Sequence, residues 1–256
     1  CSGSPSSICI GQSTTLTAQG ATTYTWSPGG QTSSSISVSP TTIGTNSYTV
    51  IGSNPGAGCS STCISNILVN PLPNIIIQPN PNDTICIGRS VTLTASGGST
   101  YLWSTGATGS SITVTPTVLG GPTTYTVTGT DNNTCSNTAT IQIYTIPNPT
   151  VTVTNSSPTI CTSGGGNTTL TASGATSYSW SPSTGLSATT GTSVTANPST
   201  TTTYTVTGTI GTGCTASTTT TVTVNNPPAV TCSTSVASIC LNQPITLSAK
   251  GATSYV

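Results

Sequence analysis

Short runs in which apolar residues take every second position, with Thr or Ser between them, recur along the whole chain. Leu16 and Ala18 share one face of the run from Thr14 to Ala18, Tyr24 and Trp26 one face of the next, and Ile36 and Val38 one face of Ser35 to Val38. Tyr48 and Val50 do the same in Ser47 to Ile51, as do Ile67 and Val69 in Asn66 to Val69. A period of two with a polar opposite face predicts half-buried antiparallel strands. Clusters of Gly, Pro, Asn and Ser separate the runs and predict turns. A strand that opens each set is clearest at Ile75 to Ile77, Val151 to Val153 and Val230 to Cys232. No segment carries a sustained helical period, and no apolar run approaches the roughly 20 residues that a membrane-spanning helix needs.

The pattern repeats. Ala18-Gln-Gly-Ala-Thr-Thr-Tyr-Thr-Trp26-Ser returns as Ala95-Ser-Gly-Gly-Ser-Thr-Tyr-Leu-Trp103-Ser and as Ala172-Ser-Gly-Ala-Thr-Ser-Tyr-Ser-Trp180-Ser. A fourth copy starts at Ala249-Lys-Gly-Ala-Thr-Ser-Tyr255. Cys9, Cys86, Cys161 and Cys240 precede the copies at intervals of 77, 75 and 79 residues. Inside each copy, cysteine to tryptophan is 17, 17 and 19 residues, and tryptophan to a marker tyrosine (Tyr48, Tyr125, Tyr204) is 22, 22 and 24. A closing cysteine (Cys59, Cys135, Cys214) follows that tyrosine after 11, 10 and 10 residues. Constant spacing with small insertions describes one folded unit with variable loops.

The predicted class is all-β: tandem immunoglobulin-like sandwiches of about 77 residues, the last incomplete. The expected boundaries are 1–71, 72–147, 148–226 and an incomplete 227–256. Short proline-rich stretches, Asn70-Pro-Leu-Pro73, Ile146-Pro-Asn-Pro149 and Asn225-Asn-Pro-Pro228, fall at those boundaries as semi-rigid linkers. One tryptophan on the strand that follows the repeated Gly turn and one marker tyrosine on the next-to-last strand of each copy suit a sandwich core, against the rival reading of a sugar-binding platform.

Ten cysteines without metal-finger spacing point to disulfides and an oxidising compartment. Six alternating strands would bring the turn after the first strand and the turn before the last to the same end of the unit. That parity pairs Cys9 with Cys59, Cys86 with Cys135 and Cys161 with Cys214, each closing its own repeat. Cys1 and Cys63 occur together in the first copy and are both missing from the next two, which predicts a bridge between them. A rival reading makes Cys1 a lipidated first residue, but Cys232 holds the same place internally. From residues 1 and 232, 14 of the first 25 positions match, so a super-repeat of 231 residues restarts there. That restart leads us to expect that residues 227–256 continue into a full repeat beginning with Trp after Val256; completion by strands of a neighbouring chain is the alternative.

Composition narrows the chemistry. The chain has 62 Thr and 40 Ser among 256 residues, and its only charged side chains are Asp83, Arg89, Asp131 and Lys250. It has no His, Glu, Met or Phe. General acid–base catalysis needs groups that titrate near neutrality, so no catalytic residue, no cofactor and no metal ligand is assigned, and the chain is not expected to be an enzyme. A net charge of zero excludes the basic footprint of nucleic-acid binding. It also favours association, because exposed strand edges lack the charges that normally keep sheets apart. Gly164-Gly-Gly166 lacks the Lys and the helix of a phosphate loop and reads as a loop insertion.

Ile8-Cys9-Ile10-Gly11-Gln12-Ser13, followed by Leu16-Thr17-Ala18 and Tyr24-Thr25-Trp26-Ser27-Pro28, carries a resemblance, as does Thr200-Thr-Thr-Thr-Tyr204-Thr-Val206-Thr-Gly208 with Gly213-Cys214. These stretches resemble the Ig-like or PKD-like repeats of giant secreted cell-surface adhesins of Bacteroidota, the gliding-motility type among them. The resemblance spans essentially the whole chain and implies extracellular display at the cell surface. It also implies an O-glycosylation site at Thr84, within Asp83-Thr84-Ile85. The expected role is structural, a segment of an extracellular filament or stalk that self-assembles with other copies or neighbouring repeats. The alternative is an adhesin module that binds glycans or cells through loops such as Gly29 to Ser34 or Ser183 to Gly191.

Overall fold

A computed structural model describes residues 1–162 and 166–255. Most of the Gly164–Gly166 insertion, and Val256, lie outside the described residues. The chain forms two compact units, 1–146 and 147–256.

The first unit holds two sandwiches of one plan. In the first, β1 (Ser2–Ser4), β3 (Thr14–Thr17) and β5 (Ser35–Val38) form one sheet in the order β1-β3-β5. The other sheet is β2 (Ser7–Cys9), β7 (Cys59–Asn70), β6 (Gly44–Asn54) and β4 (Thr23–Ser27), in that order. The second sandwich repeats this with β8 (Ile76–Asn80), β9 (Thr84–Cys86), β10 (Val91–Ser96), β11 (Thr100–Trp103), β12 (Ser111–Val114), β13 (Pro122–Thr130) and β14 (Ser136–Ile146). Its sheets run β8-β10-β12 and β9-β14-β13-β11.

In the second unit the same seven strands are β15 (Thr152–Asn155), β16 (Thr159–Cys161), β17 (Thr168–Ser173), β18 (Ser177–Ser181), β19 (Ser193–Ala196), β20 (Thr202–Thr209) and β21 (Thr215–Asn225). Beyond them, β22 (Thr231–Thr234) and β23 (Leu247–Lys250) make an exposed antiparallel pair. Two strands give no second layer against which to bury a face.

The period-two pattern decides which side chains enter each core. Leu16, Trp26, Ile67 and Val69 are fully or almost fully buried in the first sandwich, with Ala18, Ile36, Val38 and Val50 around them. Leu93, Trp103, Val127 and Ile143 do the same in the second, and Leu170, Trp180, Tyr204 and Val206 in the third. Outward Thr and Ser pair across strands, as Thr92 does with Thr113 and Thr203 with Thr221, which is the side-chain pairing that stabilises a sheet face.

The opening strands β8, β15 and β22 begin one residue later than the runs from Ile75, Val151 and Val230 suggest. In each sandwich a short strand then follows that the pattern does not show. β2, β9 and β16 have three residues each and lie parallel to the last strand of their sandwich. Each offers only one aliphatic residue, Ile8, Ile85 or Ile160, so no alternation can reveal it.

Candidate functional site

The tryptophans belong to the core. Trp26, Trp103 and Trp180 are buried, and each indole N–H donates to a carbonyl oxygen of the loop after its strand. The acceptors are Ser33 at 2.9 Å, Gly109 at 3.0 Å and Gly191 at 2.9 Å. With both the ring and its polar edge engaged inside, none of the three offers solvent a sugar-stacking face. Tyr24, Tyr101 and Tyr178 close the preceding turn by accepting from the backbone N–H of Ala21, Gly98 and Ala175. Among the marker tyrosines, Tyr48 is half-buried while Tyr125 and Tyr204 are buried. Burial pushes the Tyr125 and Tyr204 hydroxyls above their ordinary pKa of 10.0; for Tyr204 a hydrogen bond with Thr202 pulls part of the way back.

The cysteines take two stations per repeat. One ends the short parallel strand. Cys9 is in register with Asn70, Cys86 with Ile146 and Cys161 with Asn225, the final residues of β7, β14 and β21. The other station follows the turn before the last strand, at Cys59, Cys135 and Cys214. Because the short strand runs parallel to the last one, these stations are at opposite ends of a sandwich. β7 is 12 residues long, about 36 Å of rise at ~3.3 Å per residue.

The within-repeat pairing is therefore wrong. Cys9 is joined to Cys135 in the next sandwich, with 5.5 Å between α-carbons. Cys59 and Cys161 are exposed free thiols. Cys86 and Cys214 are each in a disulfide, but neither in the pair expected, since Cys135 is bonded to Cys9 and Cys161 to nothing. Each sandwich makes one pass more than the six expected. After β11 the chain doubles back and bridges Leu102 to Thr108, and after β18 it bridges Ser179 to Thr190, both antiparallel. In the first sandwich Trp26 N–H reaches the Gln31 carbonyl in the same way. That extra pass makes seven, which sends the two cysteine-bearing turns to opposite ends. Cys1 and Cys63 are joined, with 6.0 Å between α-carbons, and tie the first strand to the last within repeat 1.

Each closing cysteine is presented alike. The residue before it has a left-handed backbone: Gly58 at φ 68°, Thr134 at φ 66° and Gly213 at φ 83°. In the second sandwich the Asp131 side chain accepts from the N–H groups of Asn133 and Cys135, both at 2.9 Å, and holds the turn that offers Cys135 to Cys9. Asp131 and its turn thus belong to the bridging site, a role its isolation in the sequence does not reveal.

Thr84 opens β9, half-buried, and its hydroxyl donates to the Asp83 carboxylate at 3.2 Å. Among the described residues no cluster of three or more His, Cys, Asp or Glu could hold a metal, and no helix is long and apolar enough to cross a membrane.

No protein-family model matches the chain, and no curated protein does. Among solved structures, a region of a 1.5-MDa bacterial ice-binding adhesin is similar at 19% identity, over 87% of this chain and 95% of that one, with a TM-score of 0.37. Three N-terminal domains of the outer capsid protein Hoc of bacteriophage RB49 are similar at 17% identity, over 87% and 96%, with a TM-score of 0.39. An I-band fragment of titin is similar at 14% identity, over 86% and 95%, with a TM-score of 0.40. The immunoglobulin-like fold rests on the strand order and register of the three sandwiches themselves.

Proposed function

We propose that the chain is a non-catalytic structural segment of an extracellular filament or surface stalk, within a secreted cell-surface adhesin of the gliding-motility type of Bacteroidota. The observation that carries this reading is the Cys9–Cys135 bridge, which fastens one sandwich to the next instead of closing a single unit. A covalent tie between successive repeats suits a part that bears load and serves no purpose in a freely hinged ligand-binding array. The linker between the same two sandwiches is held as well: Asn137 in β14 donates its side-chain N–H to the Pro73 carbonyl at 3.0 Å. Disulfides persist in oxidising surroundings, which supports display outside the cell. An O-glycan on Thr84 belongs to the same reading, as do contacts between copies along the nearly uncharged strand edges.

Negative-stain images of material sheared from cells test the role. Thin continuous fibres are expected. Monodisperse particles that bind glycans through the Gly29–Ser34 or Ser183–Gly191 loops would establish the adhesin-module reading instead.

A further inference from the structure

Cys59 and Cys161 occupy the same two stations as Cys135 and Cys9, and both thiols are exposed and free. Cys161 closes its short parallel strand against Asn225 as Cys9 does against Asn70, and Thr162 N–H bonds the Asn225 carbonyl as Ile10 N–H bonds that of Asn70. Cys59 follows a left-handed Gly58 as Cys135 follows a left-handed Thr134. The strand position and the left-handed residue of the Cys9–Cys135 stations thus recur at the two free cysteines, with a 3-10 turn, Pro55–Ala57, before Cys59 where Asp131 holds the turn before Cys135.

The end of the first sandwich that carries Cys59 also includes the position that a linker aliphatic residue covers in the other two. An open groove there is lined by Ala18, Ala21, Tyr24, Val50, Gly52 and Cys59. In the second sandwich the corresponding space holds Ile75 from the linker, seated so closely over Gly129 that a Cβ at that glycine would overlap the Ile75 side chain. In the third, Val151 sits in the same way over Gly208. Gly52 is the matching glycine of the first sandwich, where Ala21 and Tyr24 are the nearest groups over it.

We propose that Cys59 and Cys161 are covalent docking stations for further repeats of this kind. The short-strand cysteine of a preceding repeat bonds Cys59, with that repeat's linker aliphatic residue in the Gly52 groove. The closing cysteine of a following repeat bonds Cys161. Each bond joins two thiols, with loss of two protons and two electrons to a small-molecule disulfide, which leaves as two thiols. This inference rests on the structural-segment reading above and names the partner of its ends.

Disulfide mapping of the native protein tests it. Surface material is alkylated without reduction, digested with pepsin at low pH, and its bridged peptides are sequenced by mass spectrometry. Loss of the alkylated forms of Cys59 and Cys161 is expected. Cys161 linked to Cys59 supports the inference and identifies the neighbour as a second copy. Cys161 linked to a closing cysteine outside these 256 residues, with Cys59 linked to a short-strand cysteine, supports it and identifies adjoining repeats of one longer polypeptide. Cys59 or Cys161 found alkylated, capped by a small thiol, or bonded within its own repeat overturns it. Fibres in the images together with alkylated Cys161 would remove this inference and leave the filament reading intact; bridged Cys161 in monodisperse particles would do the reverse.

Discussion

Cys9 in the first sandwich and Cys135 in the second are 126 residues apart in sequence and 5.5 Å apart between α-carbons. The bond leaves one sandwich at the end of the three-residue strand β2 and enters the next at a turn held by Asp131. It therefore makes two successive cores answer to one crosslink.

Removing either sulfur should release both sandwiches. Cross-linking over 126 residues restricts the unfolded chain by about 5 kcal/mol in the chain-entropy argument, the upper figure for the case where both sandwiches unfold together. Cys9→Ser and Cys135→Ser should each lower the thermal midpoint of residues 1–146, and the double variant should fall no further than either single one. Calorimetry of the full chain checks this, and additive losses would show that the two cysteines act independently.

Much of the fold was legible because packing in a thin sandwich is read directly from alternation. Ser35–Val38 is a strand as predicted, and Leu16, Val50, Ile67 and Val69 face the core as predicted. The disulfide register was not legible. It depends on where a turn points, and that depends on the number of passes. The pass after Trp103 contributes a single bridge, Leu102 to Thr108, in a stretch of Ser, Gly and Thr whose one apolar residue, Ala107, makes no period. Three-residue strands such as Ser7–Cys9 are equally silent, since a period of two needs more than one apolar residue to appear.

Trp103 should dominate the stability of the second core. Its side chain is 2% exposed and its indole N–H donates to the Gly109 carbonyl. Trp103→Ala should cost about 3–5 kcal/mol. Trp103→Phe keeps most of the apolar volume but orphans the Gly109 acceptor, and should cost less, about 1–3 kcal/mol. Urea unfolding of both variants measures the order, and equal losses would deny the apolar volume of the ring any share.

Two glycines with similar backbones should respond differently to alanine. Gly97 has φ 94°, and a Cβ there would overlap the Asn74 carbonyl oxygen of the linker. Gly106 has φ 82° with nothing within 4 Å of a Cβ. Gly106→Ala should cost about 1 kcal/mol of backbone strain alone. Gly97→Ala should cost clearly more, because the linker must move as well. Equal thermal midpoints for the two variants would show that the linker does not pack on this turn.

Stability should be level from mildly acidic to mildly alkaline buffer, since the chain has no His and no Glu. It should then fall in strong alkali. Tyr125 and Tyr204 have folded-state pKa values raised above 10.0 by burial, so the unfolded chain releases those protons first. Their contribution is complete below pH 10 and is lost as pH rises toward the folded-state values. Thermal midpoints between pH 6 and about 11 check this, and Tyr204→Phe should flatten the alkaline fall. A steep loss between pH 8 and about 5 would contradict it.

The most direct test of the account is the partner of Cys9 in the unreduced protein. Peptic digestion at low pH, followed by mass spectrometry, should recover a peptide containing Cys9 bonded to one containing Cys135, and their masses should separate on reduction. A Cys9 peptide bonded to Cys59 would place both stations at one end of a single sandwich and contradict the tie between repeats.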